Sequence, residues 1–359
     1  MGYKRATLKD IAKLAGVSPR AVSMVLNEQG RISRETRKRV MEIAGELNYQ
    51  PNMMAKGLRK KKTFLIAAVF PYISVSFFNR ILKGLEERCA QHRYDLLIGN
   101  STINYASSAP SEEQIDDNSE VLRRMINRNV DGIICSPHPK MHGVFDEIIQ
   151  KGTPLIQLMT RIPGLNLPFV GVDNERGGYL AARHLIDLGH RNIGFLSSIY
   201  REYEEVQLRY RGYLRALIQK GITLDTEDYE EACDLTVGGS AEAVKRLLGR
   251  RPETTAIFAA TDYAALGAIR GCLELGLRVP EDISVVGYDD LDIARFQLLY
   301  PLSTVAQPKE EIGWAGFDAL NRLIDGESDV QDHYLEPELM VRRTSAVLSV
   351  EEGCFSENP

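Results

Sequence analysis

The chain has 359 residues, 44% of them hydrophobic, which is enough for a small domain plus a two-lobed one of ordinary globular make-up. Its net charge of −5 hides two unlike parts: residues 1–62 carry 15 Lys+Arg against 5 Asp+Glu, or +10, leaving −15 for residues 63–359. A basic head on an acidic body excludes an evenly charged globule and directs the head toward nucleic acid.

The five cysteines (Cys89, Cys135, Cys233, Cys272, Cys354) show no CxxC spacing and are odd in number, which predicts reduced, buried thiols rather than a disulfide framework. MGYKRAT has no apolar signal core and no Ser or Thr at position six for myristoylation. The longest apolar run, Phe64 to Phe70, is too short to span a bilayer. The expected location is the cytoplasm, with no membrane partner.

In chain order, Thr7-Leu8-Lys9-Asp10 predicts a helix start, with Asp10 three places after the capping hydroxyl. Leu8, Ile11, Ala12 and Ala15 fall on one face, and Gly16 stops the helix. Ser18 is a natural N-cap and Pro19 a natural first residue for a second helix. There Val22, Val25 and Leu26 point to one side and Arg20, Met24 and Asn27 to the other, with Ser23 on the flank. A third helix, capped by Ser33, has Val40, Ile43, Ala44 and Leu47 as its inner stripe and Arg34, Arg37, Lys38 and Arg39 near its start. Helix, Gly turn, helix is the helix-turn-helix unit, whose second helix enters the major groove by its N-terminal end. A three-helix cluster that binds no DNA carries the same pattern.

Asn48 to Lys62, NYQPNMMAKGLRKKK, joins the two parts. Pro51 stands where a helix begins, and Asn52 to Leu58 predicts one or two helical turns, followed by the cations Arg59 to Lys62. So short a helix is marginal alone, and Gly57 weakens it by roughly 1 kcal/mol. It is expected to order only against a polyanion.

The residues T-L-K-D-I-A-K-L-A-G-V-S-x-x-x-V-S-x-V-L-N, then E-L-N-Y-x-P-N-x-x-A-K-x-L, resemble the N-terminal domain and hinge of the LacI/GalR family of bacterial transcription regulators, and the likeness runs to about Ala346. The resemblance implies an all-α helix-turn-helix DNA-binding domain at 1–50 and a hinge helix and linker at 51–62. A two-lobed α/β effector and dimerisation domain of the type I periplasmic-binding-protein kind follows at 63–346, then a tail. It implies base reading by Pro19, Arg20 and Met24, and phosphate contacts from Thr7, Ser18, Ser23 and Asn27. Leu58 matches a leucine wedged into the minor groove at the operator centre, with Asn52 in the same hinge and Arg59 beside it. Two positions depart from the pattern: Ala21 stands where the family commonly has Thr, and Met24 where it has Arg. The second change replaces a guanine-reading fork with a thioether suited to a thymine methyl.

In the body, strand-like runs (Phe64–Phe70, Leu96–Ile98, Gly132–Cys135, Ile193–Leu196, Ala256–Ala260, Ser284–Gly287) alternate with helix-like ones, one of which turns Ile81, Leu82, Leu85 and Cys89 inward. This rhythm means parallel sheets covered on both faces. Asn104 to Ser119 reads as a polar surface loop, and the tail after Val347 lacks heptads. The resemblance implies three crossings between lobes, the first lobe taking about 63–168 and 302–330 and the second about 169–301 and 331–346.

Small ligands of such lobes sit at strand carboxyl ends, in the cleft. The family pattern places Phe77, Phe78, Ser136, Thr160, Arg209, Leu235, Thr261 and Asp289 there. Arg209 of R-Y-R-G-Y would bind effector oxygens, and Asp289 of V-V-G-Y-D-D ligand hydroxyls or an amine. Plainer roles stay open: core packing for the Phe pair, a structural ion pair for Arg209, a helix cap for Asp289. Thr160 stands where the family usually has the Asp of a D-R pair, leaving Arg161 without that neighbour. Leu235 stands where an aromatic platform is common. Both changes weaken a simple hexose assignment, because fewer carboxylates and one fewer ring face are available; a sugar, sugar phosphate or other small polar metabolite remains the expected effector.

No GxxxxGK[ST], GxGxxG or GxSxG pattern is present. His138 and His142 have a metal-ligand spacing, but the prolines at 137 and 139 favour a solvated loop. The expectation is a dimeric repressor of a pseudo-palindromic operator, tuned by a small-molecule effector, with no cofactor, metal or enzymatic role. The rival is a solute-binding protein or enzyme using the head only to oligomerise.

Overall fold

The computed structural model describes residues 6–27, 30–49, 62–71, 76–101, 112–138, 141–162, 164–199, 203–296 and 299–348. The chain forms two compact units, Met1–Thr63 and Phe64–Pro359. The first holds α1 (Leu8–Ala15), α2 (Pro19–Leu26) and α3 (Arg34–Glu46). Their core is Ile11, Ala12, Ala15, Val22, Val25, Val40 and Ala44, flanked by Leu8, Leu26, Ile43 and Leu47, so each inward stripe is the one its helical period predicts.

In the second unit the order is β1 (Leu65–Pro71), α4 (Ser76–Gln91), β2 (Asp95–Ser101), α5 (Glu112–Asn127), β3 (Gly132–Cys135), α6 (His142–Gln150), β4 (Leu155–Leu158), β5 (Phe169–Val172), α7 (Asn174–Asp187), β6 (Ile193–Ser198) and α8 (Glu204–Gln219). There follow α9 (Thr226–Tyr229), β7 (Glu230–Cys233), α10 (Val237–Arg250), β8 (Ala256–Ala259), α11 (Asp262–Glu274), β9 (Ser284–Asp289), α12 (Asp292–Phe296), β10 (Ser303–Ala306), α13 (Lys309–Ile324), β11 (His333–Leu335) and β12 (Glu338–Met340). The strands make two six-stranded sheets, β11-β5-β4-β3-β1-β2 and β12-β10-β9-β8-β6-β7, parallel except where β12 runs antiparallel to β10.

Alternate residues of one strand feed different cores, as a pleat covered on both sides requires. From β1, Ile66, Ala68 and Phe70 pack with Leu85 and Phe317, while Ala67 and Val69 pack with Met125 and Phe145. From β8, Ile257 and Ala259 join Leu247 and Ile269, while Ala256 and Phe258 join Phe195 and Tyr213. In each lobe one helix pair crosses at glycine. A Cβ on Gly84 of α4 would lie 2.1 Å from the Glu310 carbonyl oxygen of α13, and one on Gly178 of α7 would lie 2.0 Å from the Arg209 carbonyl oxygen of α8.

Strand pairing sets the crossings a few residues later than expected. β5 belongs to the first sheet, so the first crossing follows Val172 rather than Pro168. β10 belongs to the second, so the next follows Ala306 rather than Pro301. The third lies between β11, in the first sheet, and β12, in the second, because a short strand closes the edge of each. Glu112 to Ser119, expected as loop, is the start of α5; helix N-termini favour acidic residues, so polarity alone did not mark a loop there. The hinge at 50–61 and the tail from 349 lie outside the described residues, as do 102–111 of the expected loop.

Candidate DNA-reading head and ligand cleft

In the head, the backbone N–H of Thr7 donates to Asp10 Oδ2 (2.8 Å) and that of Asp10 to Thr7 Oγ1 (3.3 Å), the reciprocal cap that starts α1. Gly16 ends it in the left-handed region (φ 65°). Ser18 caps α2 by accepting from the Ala21 N–H (3.1 Å), with Pro19 at the first turn. Ser18, Pro19 and Arg20 are exposed and adjacent; Ser23 and Met24 are half-buried. Met24 lies against the backbone of Gly30, where an added Cβ would touch its terminal methyl. Two expected phosphate ligands are already engaged within the head. Thr7 Oγ1 donates to Asp10 (2.6 Å), and Asn27 Nδ2 donates to the Ser23 carbonyl (2.7 Å) at the end of α2. Asn52, Leu58 and Arg59 lie outside the described residues.

In the second unit, Phe77, Phe78, Ser136, Thr160, Arg209, Leu235, Thr261 and Asp289 line one cavity of about 290 Å³. All eight expected residues therefore meet. Ser136, Thr160, Leu235, Thr261 and Asp289 stand at or just beyond the carboxyl ends of β3, β4, β7, β8 and β9, where open α/β lobes present their loops. Met159, Leu235 and Asp289 leave their strands with φ of 66°, 60° and 113°. Such backbones cost about 1–3 kcal/mol each, persist only where their surroundings hold them, and cluster at functional sites.

Arg209 is buried and held from several sides. Its Nε donates to Asn174 Oδ1 (2.9 Å) and its Nη1 to the Ala260 carbonyl (2.6 Å), with Asp289 Oδ1 3.9 Å away. Its guanidinium lies 3.7 Å over the Tyr288 ring. The expected ligand arginine is thus also a structural one. Burial pushes the Asp289 carboxyl above its ordinary range, opposed by Arg209, Lys309 and a hydrogen bond from Gln307 Nε2 (2.7 Å). Thr261, not Asp289, is the helix cap, accepting from the Ala264 N–H (3.1 Å).

Asp262 is also buried, accepting from the Leu291 N–H (2.7 Å) and Thr304 Oγ1 (2.5 Å). Desolvation, then the nearby Asp289, pushes its carboxyl up to about 8. Lys309 is buried with its ammonium on the carbonyls of Asp289 and Asp290, so the second crossing is fastened to the cleft floor.

The phenyl pair forms the opposite wall. Phe78 stacks on Phe70 (5.4 Å between centroids) and meets Phe77 edge-on (5.2 Å), so packing and cleft lining are both its roles.

Sequence reasoning missed Tyr203, Glu205, Asp234 and Gln307, which line the same cavity. They restore what the departures at Thr160 and Leu235 took away: Glu205 and Asp234 supply carboxylates and Tyr203 a ring. Arg161 is not left without a partner, since its Nη2 reaches Asp332 Oδ2 (2.5 Å) and the guanidinium lies over Phe169 (4.7 Å). His138 is buried, not solvated, with its ring edge-on to Tyr203 (5.6 Å) across the cleft.

Among the described residues no group of three or more His, Cys, Asp or Glu is placed to hold a metal, and no helix is long and apolar enough to cross a membrane. Cys89, Cys135, Cys233 and Cys272 are buried free thiols, which burial holds in the protonated form; Cys354 lies outside the described residues.

A helix-turn-helix head ahead of a two-lobed body with its cavity at the strand ends is the build of a bacterial transcription regulator. Residues 7–52 match the model for bacterial regulatory proteins of the lacI family, and residues 182–345 that for a periplasmic binding protein-like domain. The HTH-type transcriptional repressor PurR of Vibrio vulnificus is 34% identical over 94% of this chain and 98% of its own length. The ribose operon repressor of Haemophilus influenzae is 32% identical over 94% and 98%. The chain belongs to the lacI family of bacterial regulatory proteins. In structure it is similar to the lac repressor dimer bound to operator and the anti-inducer ONPF, with a TM-score of 0.83 at 27% identity over 96% of this chain and all of that one. It is also similar to the CelR–cellobiose complex, with a TM-score of 0.70 at 29% identity over 95% and 100%. These relatives bear the names of regulators, not of enzymes.

Proposed function

We propose that the chain is a transcriptional repressor acting as a homodimer on a pseudo-palindromic double-stranded operator, with a small polar metabolite in the cleft setting its hold on DNA. One observation carries the reading: eight side chains scattered from residue 77 to residue 289 line a single cavity, in a chain that begins with a helix-turn-helix. Exposed apolar side chains around α12, Ile293 (42%), Phe296 (76%) and Leu299 (78%), support a second copy as the covering partner. Pro19, Arg20 and Met24 read bases, while Ser18 and Ser23 hold phosphates. Thr7 and Asn27 shape the helix ends that present them. Leu58 wedges the minor groove between its hinge neighbours Asn52 and Arg59.

Closure of the lobes on the ligand alters how two first lobes pack, and so whether paired hinges order in the groove. Ligand and operator are then linked by one reciprocal coupling energy, typically about 1–3 kcal/mol. Induction and corepression use the same residues with opposite sign.

The test is selection of bound genomic fragments, followed by anisotropy titration of the selected site across a salt series and a metabolite panel. The expected result is two inverted half-sites, a steep loss of affinity with salt, and at least one metabolite that changes Kd fivefold or more. An unselective pool with no metabolite response would end the reading. Leu58→Ala should weaken specific binding far more than non-specific binding; equal losses would remove the wedge.

A further inference from the structure

Among the described residues, two side-chain carbonyl or carboxylate oxygens of cleft residues lack a hydrogen-bond partner. Glu205, in the first turn of α8, takes a hydrogen bond from Thr160 of the first lobe, which itself lies 3.4 Å from Ser136 Oγ. Its other oxygen, Oε2, is sealed from solvent and has no hydrogen-bond partner among the described residues. Gln307, 4% exposed, donates its Nε2 to Asp289, while its Oε1 is likewise sealed and unpartnered. Both side chains line the same cavity.

The two buried cations nearby are committed elsewhere. Arg209 is held by Asn174, Ala260 and Asp289, and Lys309 by two backbone carbonyls. Asp234 is occupied by the Thr236 N–H (2.9 Å) and hydroxyl (2.7 Å). Burial raises the Glu205 carboxyl and Glu204 adds to the effect, opposed by Thr160, by Glu205's own backbone N–H and by Arg209. A carboxyl oxygen sealed from water without a partner is a costly arrangement unless something else completes it.

We propose that the cleft takes a small polar ligand bearing an amino group, seated on Glu205 with a second donor on Gln307, and that Glu205 selects it over neutral and phosphorylated counterparts. The inference rests on the ligand-cleft reading above and narrows its chemistry. An ammonium brings three donors and no acceptor, together with the positive countercharge that a desolvated carboxylate needs. A hydroxyl brings one donor and no charge. A phosphate places like charge beside Glu205, Asp234 and Asp289. The apolar wall of Phe77 and Phe78 suits the carbon skeleton, and about 290 Å³ suits a ligand the size of a single sugar ring.

The experiment is calorimetry and thermal shift on the full chain with matched triads: glucosamine, glucose and glucose 6-phosphate; galactosamine, galactose and galactose 6-phosphate; 1,4-diaminobutane, 1,4-butanediol and succinate. At least one amine should bind tenfold or more tighter than both members of its triad. Glu205→Gln, close in shape and checked for folding by circular dichroism, should bring that amine and its neutral partner within about twofold of each other. A neutral or anionic member binding as well as its amine overturns the proposal, and so does an amine preference that survives Glu205→Gln. If no triad binds at all, this inference falls; the broader reading falls with it only if operator affinity also ignores the metabolite panel.

Discussion

The two walls of the cleft differ in kind. The first lobe offers Phe77, Phe78, Ser136, Pro137, Met159 and Thr160, which are rings, hydroxyls and a thioether with no formal charge. The second offers Glu205, Arg209, Asp234 and Asp289. Charge set among fixed partners reads the polar groups of a ligand, and an apolar wall closing over it excludes water and strengthens every such contact. The division puts the charged, polar-reading groups on the second lobe and the apolar cover on the first.

The largest break in that contrast comes from Arg209→Met. It strips Asp289 of one of its two buried cations and leaves the Ala260 carbonyl and Asn174 without their donor. Removing one partner of a buried pair costs about 3–5 kcal/mol, so urea unfolding should shift strongly and the effector response should vanish while operator binding persists. A normal response would take Arg209 out of the site.

Gly178→Ala, whose Cβ would press on the Arg209 backbone, should cost about 1–3 kcal/mol by overpacking. It should also weaken ligand binding. Gly84→Ala makes the same kind of clash in the first lobe and should cost similar stability with a smaller effect on affinity, as denaturation paired with calorimetry would show. Equal effects on affinity would mean that the charged wall has no privileged role.

Phe77→Ala on the neutral wall should weaken ligand binding about tenfold, roughly 1.4 kcal/mol, at unchanged ligand preference. A changed preference would show that the first lobe also selects.

The most specific effect is one of pH and concerns Asp262. Its folded value is raised well above that of an unfolded aspartate, so the proton it keeps stabilises the fold fully below about pH 4. That contribution is lost as pH climbs through about 8. Melting temperature should fall over that range, and Asp262→Asn should flatten the fall.

The head was legible from sequence because its logic is local. Caps at Thr7, Ser18 and Ser33, a stop at Gly16 and three apolar stripes all lie within forty residues of one another, and each is set by helix period. The cleft is non-local, and its eight expected residues came from the family pattern at strand ends rather than from periodicity. What escaped notice had no such marker. Glu205 reads as an acid at a helix start, which macrodipole preference explains without any ligand, and Gln307 reads as loop between strand and helix. His138, taken as solvated because prolines flank it, is buried because the opposite lobe covers it with Tyr203. The crossings were misplaced by a few residues because β5 and β10 are each four residues long, and only hydrogen-bond pairing assigns them to a sheet.

The third crossing has a consequence for how wide the gate can swing. Only Glu336 and Pro337 separate β11 from β12, each locked into a different sheet. Even pulled taut, that tether spans about 11 Å from Leu335 to Glu338, and proline freezes one of its few free torsions. On that edge the two sheets cannot part by more than this short reach, so any wider opening of the cleft has to come at the opposite rim.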